Sequence, residues 1–103
     1  MRMWCVNPRI LCRNHLLGEH LEMHMFAGCI LKGKSIKGYI EKGLLEVHKI
    51  KTRHDELVSE MLKRGFNHKS PMPKISLWRE GFVDINKNLK ELSKRCNKCK
   101  RTS

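Results

Sequence analysis

The hydrophobic pattern of residues 15–32 predicts the longest helix of the chain. Asn14 is a candidate N-cap before it, and Gly33 is a candidate terminator after it. A helix that is apolar on two sides is expected to lie between other elements of the fold. Its apolar residues recur at helical spacing on two arcs, Leu17, Leu21 and Met25 on one, and Leu16, Met23, Ala27 and Ile30 on the other.

Two more helices are predicted downstream, one from about His48 to Arg64 and one from about Asp84 to Arg95. Gly65 ends the first of these. Its apolar arc is Ile50, Leu57, Val58, Met61 and Leu62, while Arg53, Glu56, Glu60, Lys63 and Arg64 are expected to face water. The last helix carries Ile85, Leu89, Leu92 and Cys96 on one side.

The remaining segments are predicted to be loops. Residues 34–43 carry three lysines and two glycines, and residues 67–74 contain Pro71 and Pro73. No strand pattern or internal repeat is evident. The predicted fold class is therefore all-α, with a single compact domain of three main helices over residues 1–95 and a basic C-terminal tail over residues 96–103.

Charge narrows the class of partner. The 103 residues carry a formal net charge of +12, from 22 Lys and Arg against 10 Asp and Glu, which favours a polyanion such as nucleic acid.

No leader-like or membrane-spanning run is evident, and the five cysteines form an odd set, so we expect free thiols in a reducing, cytoplasmic setting. We expect a monomer, because no apolar face is left over. Trp4 and Trp78 are expected to belong to the core.

Three ionisable residues share one face of the first helix. His15, Glu19 and Glu22 follow one another at steps of four and three residues, which a 3.6-residue repeat stacks into one stripe. Carboxylates on a helix expected to be buried are costly unless they are paired or used. Glu22 is the preferred catalytic candidate, with pairing to Arg53 or Arg13 as its structural alternative, and Glu19 is the second candidate.

The chain's first residues supply a possible nucleophile. Because Arg2 follows Met1, we expect the methionine to be retained and its α-amine to be the mature terminus. An α-amine titrates close enough to neutral pH for a fraction to be uncharged, as a Schiff-base nucleophile requires. The α-amine is evidence for catalysis only if a carboxylate such as Glu22 lies beside it.

Two stretches resemble a known family. Residues 56–67, ELVSEMLKRGFN, and residues 15–22, HLLGEHLE, are similar to two helices of the phage-type pyrimidine-dimer DNA glycosylases of the endonuclease V family. The resemblance covers roughly residues 1–70 and implies a three-helix domain. It also implies a bifunctional, metal-independent glycosylase and abasic lyase that acts on double-stranded DNA carrying a damaged or abasic site, in a bacterial nucleoid or a virus-infected cell.

Carried over residue by residue, the resemblance implies that the α-amine of Met1 attacks the sugar, that Glu22 assists it, that His15 positions the site, and that Arg2 holds phosphate. This chain departs from the family at Leu21 and Met25, which stand where the family has arginines, and in lacking its aromatic C-terminal segment. Together with the charge pattern, the resemblance predicts eight DNA contacts: Arg2, Arg13, Lys32, Lys34, Lys37, Arg64, His68 and Lys69.

Two alternative functions remain open. The chain could be a non-enzymatic basic DNA-binding protein, or a metal-dependent nuclease that uses His20 and His24, whose i, i+4 spacing can hold zinc. Cys96 and Cys99 form half of a zinc or redox motif without a second half in the sequence, so exposed thiols are expected there. We predict no cofactor and no metal site.

Overall fold

The computed structural model describes residues 1–99, which form helices and connecting loops and contain no strand. The fold class predicted from the sequence, all-α with three main helices, is confirmed. The helices are α1 (Arg13–Leu31), the short α2 (Lys37–Glu41), α3 (Ile50–Lys63) and α4 (Ile85–Arg95), with single 3₁₀ turns at Pro8–Ile10 and Val47–Lys49.

The core forms where α1 packs against α3 and the extended N-terminal segment. One predicted arc of α1 is indeed buried, with Leu16 and Met23 fully inaccessible to solvent. The prediction for the other arc was wrong, because Leu21 and Met25 are 59% and 46% exposed. The N-terminal segment instead contributes Met3, Trp4 and Val6 to the core.

The helix boundaries show which local signals were correct. The N-cap of α1 is Cys12, which makes no side-chain cap, so the prediction of Asn14 was wrong by two residues. Asp84 caps α4 through a hydrogen bond that its side chain accepts from the Lys87 N–H. Gly33, with φ of 70°, follows α1 as predicted, since a left-handed residue at a helix end suits glycine.

The side-chain orientations also differ in places from the pattern. Arg53, expected to face water, is buried with α3's apolar arc, whereas Leu62 of that arc is exposed. Trp4 is buried as predicted, but Trp78 is 44% exposed, and its indole N–H donates to Glu80. The predicted basic loop contains the single short helix α2.

A long connection without helix joins α3 to α4 and is held to the body by hydrogen bonds. The backbone N–H of Val47 donates to the Glu80 carbonyl at 2.9 Å, and the N–H of Val83 donates to the Glu46 carboxylate at 2.8 Å. Gly81 lies between these two points with φ of 93°, in close approach to the Leu45 carbonyl. The loop predicted for residues 67–74 lies within this connection and is confirmed.

The chain after α4 turns back onto the start of α1. Cys99 is only 6% exposed and belongs to the core, so the prediction of solvent-exposed thiols was wrong for this residue. The remainder of the predicted tail, residues 100–103, lies outside the described residues. None of the helices within residues 1–99 is long and apolar enough to cross a membrane.

Candidate functional site at the N-terminus

The N-terminus lies against the middle of α1. The backbone nitrogen of Met1 is 3.9 Å from Oε1 of Glu22, and the backbone N–H of Arg2 donates to the same oxygen at 2.7 Å. The Met1 side chain is 12% exposed and that of Glu22 is 28% exposed. The terminal nitrogen and the carboxylate therefore share a partly covered position at the protein surface.

Glu19, one turn earlier, has a different environment. Its carboxylate is buried and accepts hydrogen bonds from Nε of Arg53 at 2.6 Å and from Nη2 at 2.8 Å. It also accepts from the backbone N–H of Trp4 at 3.0 Å. Burial opposes the charge of Arg53, but the hydrogen bonds to Glu19 raise its pKa above the ordinary value. The arginine expected as a structural partner for Glu22 thus pairs with Glu19.

The Arg2 side chain runs from the terminus toward α4. Its guanidinium lies 3.9 Å from the ring centroid of Trp4, and Nη2 donates to Oδ1 of Asn88 at 2.7 Å. Asn88 in turn donates to the Trp4 carbonyl at 2.8 Å. Burial, reinforced by the positive charge of Arg95, lowers the pKa of Arg2. No local pattern singles out Asn88, because its role depends on where α4 packs.

A cavity of about 350 Å³ opens beside Met1. Two of the predicted DNA contacts, Lys32 and Lys34, line it, so cations and the terminal residue share one surface depression. A second cavity, of about 480 Å³, lies on the α4 side of Arg2. The first cavity is lined by Met1, His24, Met25, Gly28, Cys29, Lys32 and Lys34.

The other predicted DNA contacts are dispersed. Arg13 is exposed, with its guanidinium 5.6 Å from the ring centroid of Phe66. Lys37 is exposed on α2, where it lies 3.7 Å from Glu41. Lys69 is exposed in the connection after α3, whereas His68 beside it is half-buried with its ring centroid 4.8 Å from that of His20, so His68 is not among the DNA contacts proposed for this protein.

Arg64 is bound within the protein. Its guanidinium donates to Glu60 at 2.8 Å and to the Leu11 carbonyl at 2.7 Å, with a longer bond to the Pro8 carbonyl. These bonds tie the end of α3 to the turn before α1. Because Nε and Nη2 of its guanidinium are already engaged, Arg64 serves the fold and is not among the DNA contacts proposed for this protein.

His15 lies one turn before Glu19, at the start of α1. Its Nδ1 is 3.1 Å from Sγ of Cys12 and 3.5 Å from Sγ of Cys99, and its ring meets that of Trp4 edge to face at 6.0 Å. His15 therefore contacts the segment that carries the N-terminus through Trp4.

Two groups of metal-ligand type assemble among residues 1–99, whereas no metal site was predicted from the sequence. One is Cys12, His15, Cys96 and Cys99; the other is His20, His24, His54 and His68, and within each group the ligand atoms lie within 4.8 Å of one another. Burial lowers the pKa of His20 to about 4, and the neighbouring histidines add to this effect. The sequence signal for the first group was the repeated x₂ spacing of Cys12 to His15 and Cys96 to Cys99; His54 and His68 carried no local signal.

Fold and site together define a small all-α domain that carries its candidate reacting groups at the N-terminus and on its longest helix. The family model for pyrimidine dimer DNA glycosylase matches residues 1–74 of the 103-residue chain. The chain therefore belongs to this family, and its role lies in DNA repair. The family indicated by the two resembling stretches is thus confirmed. No curated protein and no solved structure matches the chain.

Proposed function

We propose that this protein is a DNA glycosylase with abasic lyase activity, which acts on double-stranded DNA carrying pyrimidine dimers or related damage through a Schiff base on the α-amine of Met1. The observation that supports this most directly is the 3.9 Å separation between the Met1 nitrogen and the Glu22 carboxylate. Membership of the family supplies the substrate class.

The proposed reaction begins with the uncharged amine. Its nitrogen bonds to C1′ of the damaged nucleotide while the glycosidic bond breaks and the base leaves with the bonding electrons and a proton. Opening of the C1′–O4′ bond, with the remaining N–H proton passing to O4′, gives an imine. Loss of a proton from C2′ then expels the 3′ phosphate by β-elimination, which cuts the strand, and hydrolysis of the imine returns the amine. These steps need no metal and no redox partner.

Glu22 is the proton-transfer and electrostatic group in this proposal. An ionised carboxylate near the terminal nitrogen stabilises the positive charge that develops on the sugar and on the imine. Because Glu19 is committed to Arg53, Glu22 is the carboxylate of the stripe that is available for this work. The hydrogen bond from the Arg2 N–H fixes its position relative to Met1.

Neighbouring residues orient the terminus and the DNA. Arg2 is a phosphate contact, held by Trp4 and Asn88. His15 is a positioning residue that acts through its contact with Trp4. Phosphate contacts at Lys32 and Lys34 bring the backbone to the cavity beside Met1, with Arg13, Lys37 and Lys69 as outer contacts. A nucleotide must leave the base stack for an amine to reach its C1′.

Borohydride trapping tests the proposal. Reduction of the imine on a duplex with a single abasic site should give a covalent protein–DNA adduct whose linkage maps to the N-terminal peptide by mass spectrometry. Glu22→Gln should reduce strand cleavage at least 100-fold while keeping DNA affinity within about threefold. Glu56→Gln removes an exposed carboxylate of α3 and should leave both unchanged.

A second experiment tests whether the α-amine of Met1 is the nucleophile. A peptide tag left fused ahead of Met1 converts the amine to an amide, so the adduct should disappear although the duplex still binds. Salt-sensitive binding with no adduct for the untagged protein would instead identify a basic DNA-binding protein without activity. An adduct on a lysine in place of the terminus would refute the assigned nucleophile.

A further inference from the structure

The start of α1 and the chain after α4 meet at a compact set of three thiols and one imidazole. We propose that Cys12, His15, Cys96 and Cys99 bind a zinc ion that fastens the C-terminal segment to the N-terminal half of the domain. The proposal is independent of the reaction proposed above, because the tests below measure metal content and spectra instead of DNA cleavage.

The distances fit a tetrahedral site. Zinc with Zn–S bonds of about 2.3 Å holds two sulfurs about 3.8 Å apart, and Sγ of Cys12 lies 3.8 Å from Sγ of Cys96. The imidazole Nδ1 of His15 is 3.1 Å from one sulfur and 3.5 Å from another. All four candidate ligand atoms lie within 4.8 Å of one another.

The backbone around these thiols is arranged as it is around zinc-bound thiolates. The N–H of Cys12 donates to Sγ of Cys99 at 3.2 Å. N–H donors directed at sulfur stabilise the anionic form that a metal requires. Four protein ligands leave no open position, which is the pattern of a structural zinc site and not of a catalytic one.

Metal analysis and cobalt spectroscopy test this site. In full-length protein purified under reducing conditions, Cys99→Ser should lower the zinc content by one equivalent per chain, whereas Cys29→Ser, which alters a thiol outside the group, should not. Protein loaded with Co²⁺ should show tetrahedral visible bands and a thiolate-to-cobalt charge-transfer band in the near ultraviolet. His15→Cys should keep the metal and strengthen that band by about a third, since four thiolates replace three.

Equal zinc content in Cys99→Ser and Cys29→Ser would overturn the proposal. The cobalt spectrum of the unaltered protein decides the matter if Cys99→Ser does not fold, because absence of the charge-transfer band in the reduced protein would exclude thiolate ligation. An intact mass two hydrogens below that of the free thiols would also overturn it, since that mass indicates a disulfide.

A different observation carries a second site, formed by His20, His24, His54 and His68. Nε2 of His24 and Nε2 of His54 face each other at 3.1 Å, close to the roughly 3.3 Å that separates two imidazole nitrogens on tetrahedral zinc. Nε2 of His20 and Nε2 of His68 are buried without a hydrogen-bond partner among the described residues. Buried polar atoms without a partner are unfavourable, and a shared cation would satisfy these four at once.

A residue outside the histidine group orients one of its rings, as is expected around a metal site. Nδ1 of His54 lies 3.0 Å from the Asp55 carboxylate, which orients the ring and leaves Nε2 facing inward. The geometry therefore points to a second zinc ion, which would pin the connection after α3 to α1 and α3. With four protein ligands it too is closed, which argues against the metal-dependent nuclease considered from the sequence.

His68→Ala separates this site from the first. It should lower zinc content by one equivalent while the cobalt charge-transfer band of the thiolate site is retained. Trypsin should cut after Lys69 and Lys74 at least fivefold faster in this variant, because its loop is no longer held. His48→Gln, at a histidine outside the group, should change neither. Unchanged zinc content in His68→Ala, or equal loss in both variants, would overturn the assignment.

Discussion

The Arg53 guanidinium and the Glu19 carboxylate form a buried pair joined by two parallel hydrogen bonds, of 2.6 Å and 2.8 Å. A third arginine nitrogen, Nη1, donates to the Val6 carbonyl at 2.6 Å. The pair therefore joins α1, α3 and the N-terminal segment at one point. It also separates two carboxylates of one helix face by role, since Glu19 holds the fold while Glu22 remains beside the terminus.

Removing one partner of this pair is expected to be costly. Arg53→Ala leaves the Glu19 charge buried and the Val6 carbonyl without its donor, so we expect a loss of about 3–5 kcal/mol in the free energy of unfolding. Glu22→Gln alters a group at the surface and should cost less than about 1 kcal/mol. Urea unfolding followed by circular dichroism measures both. Equal losses in the two variants would contradict the division of roles.

The sequence predicted the helices better than it predicted the contacts between their side chains. The 3.6-residue pattern found α1, α3 and α4, because an amphipathic face is a local property of the chain. It misplaced Arg53, whose burial depends on Glu19 34 residues away supplying a matching carboxylate. A charged residue is assigned to the solvent by default, and only the tertiary packing can override that assignment.

The candidate site was predictable to a similar degree. Met1 and Glu22 came from the resemblance together with the helical stripe, and their separation is a property of the fold that no periodicity could give. Asn88 and His54 were missed for the same reason, since each acts on a residue far away in the chain. Cys12 and His15 repeated the spacing of Cys96 and Cys99, but nothing in the sequence indicated that the two pairs meet.

Gly81 provides a test of how the long connection is held. A Cβ at this position would collide with the Leu45 carbonyl, and φ of 93° is strained for any side chain. Gly81→Ala should therefore lower the free energy of unfolding by about 2–3 kcal/mol. Gly38→Ala, within α2 with no atom near its added methyl group, should be neutral or stabilising by up to about 1 kcal/mol. Thermal unfolding of the two variants compares them directly.

The thiol of Cys5 should be unreactive in the folded protein. Burial raises the pKa of Cys5 from 9.0 to about 12, which at pH 8 lowers the thiolate fraction about a thousandfold. Iodoacetamide should alkylate Cys5 at least 100-fold more slowly in native protein than in protein unfolded by urea, as measured by peptide mass spectrometry. Equal rates in the two states would show that the half-buried thiol is accessible in the folded protein.

The same shift has a consequence for stability at high pH. Because the unfolded state loses the Cys5 proton first, the stabilisation from this thiol is complete below pH 9 and is lost as the pH rises toward 12. Cys5→Ala should therefore show a smaller decline in the free energy of unfolding over this range than the unaltered protein. A parallel decline in both proteins would assign the loss to other groups.

Asn88 should affect catalysis through Arg2 and Trp4. Asn88→Ala removes the acceptor for Arg2 and the donor to the Trp4 carbonyl, so the terminus is held less accurately. We expect single-turnover strand cleavage to fall about tenfold, with affinity for undamaged duplex unchanged. Asn86→Ala alters an exposed residue of the same helix and should leave the rate as it is. An equal effect of both variants would indicate a general loss of α4.

The lysines beside Met1 should contribute to binding through the phosphate backbone. Each phosphate contact releases counterions, so removing one lowers the slope of log affinity against log salt by about 0.9. Lys34→Ala, at the cavity beside Met1, should weaken duplex binding at low salt and reduce this slope by about one unit. Lys63→Ala removes an exposed charge of α3 that lies outside that cavity and should leave the slope unchanged. Fluorescence anisotropy titrations at four or more salt concentrations give both slopes, and an equal decrease in the two variants would mean that the duplex responds only to net charge.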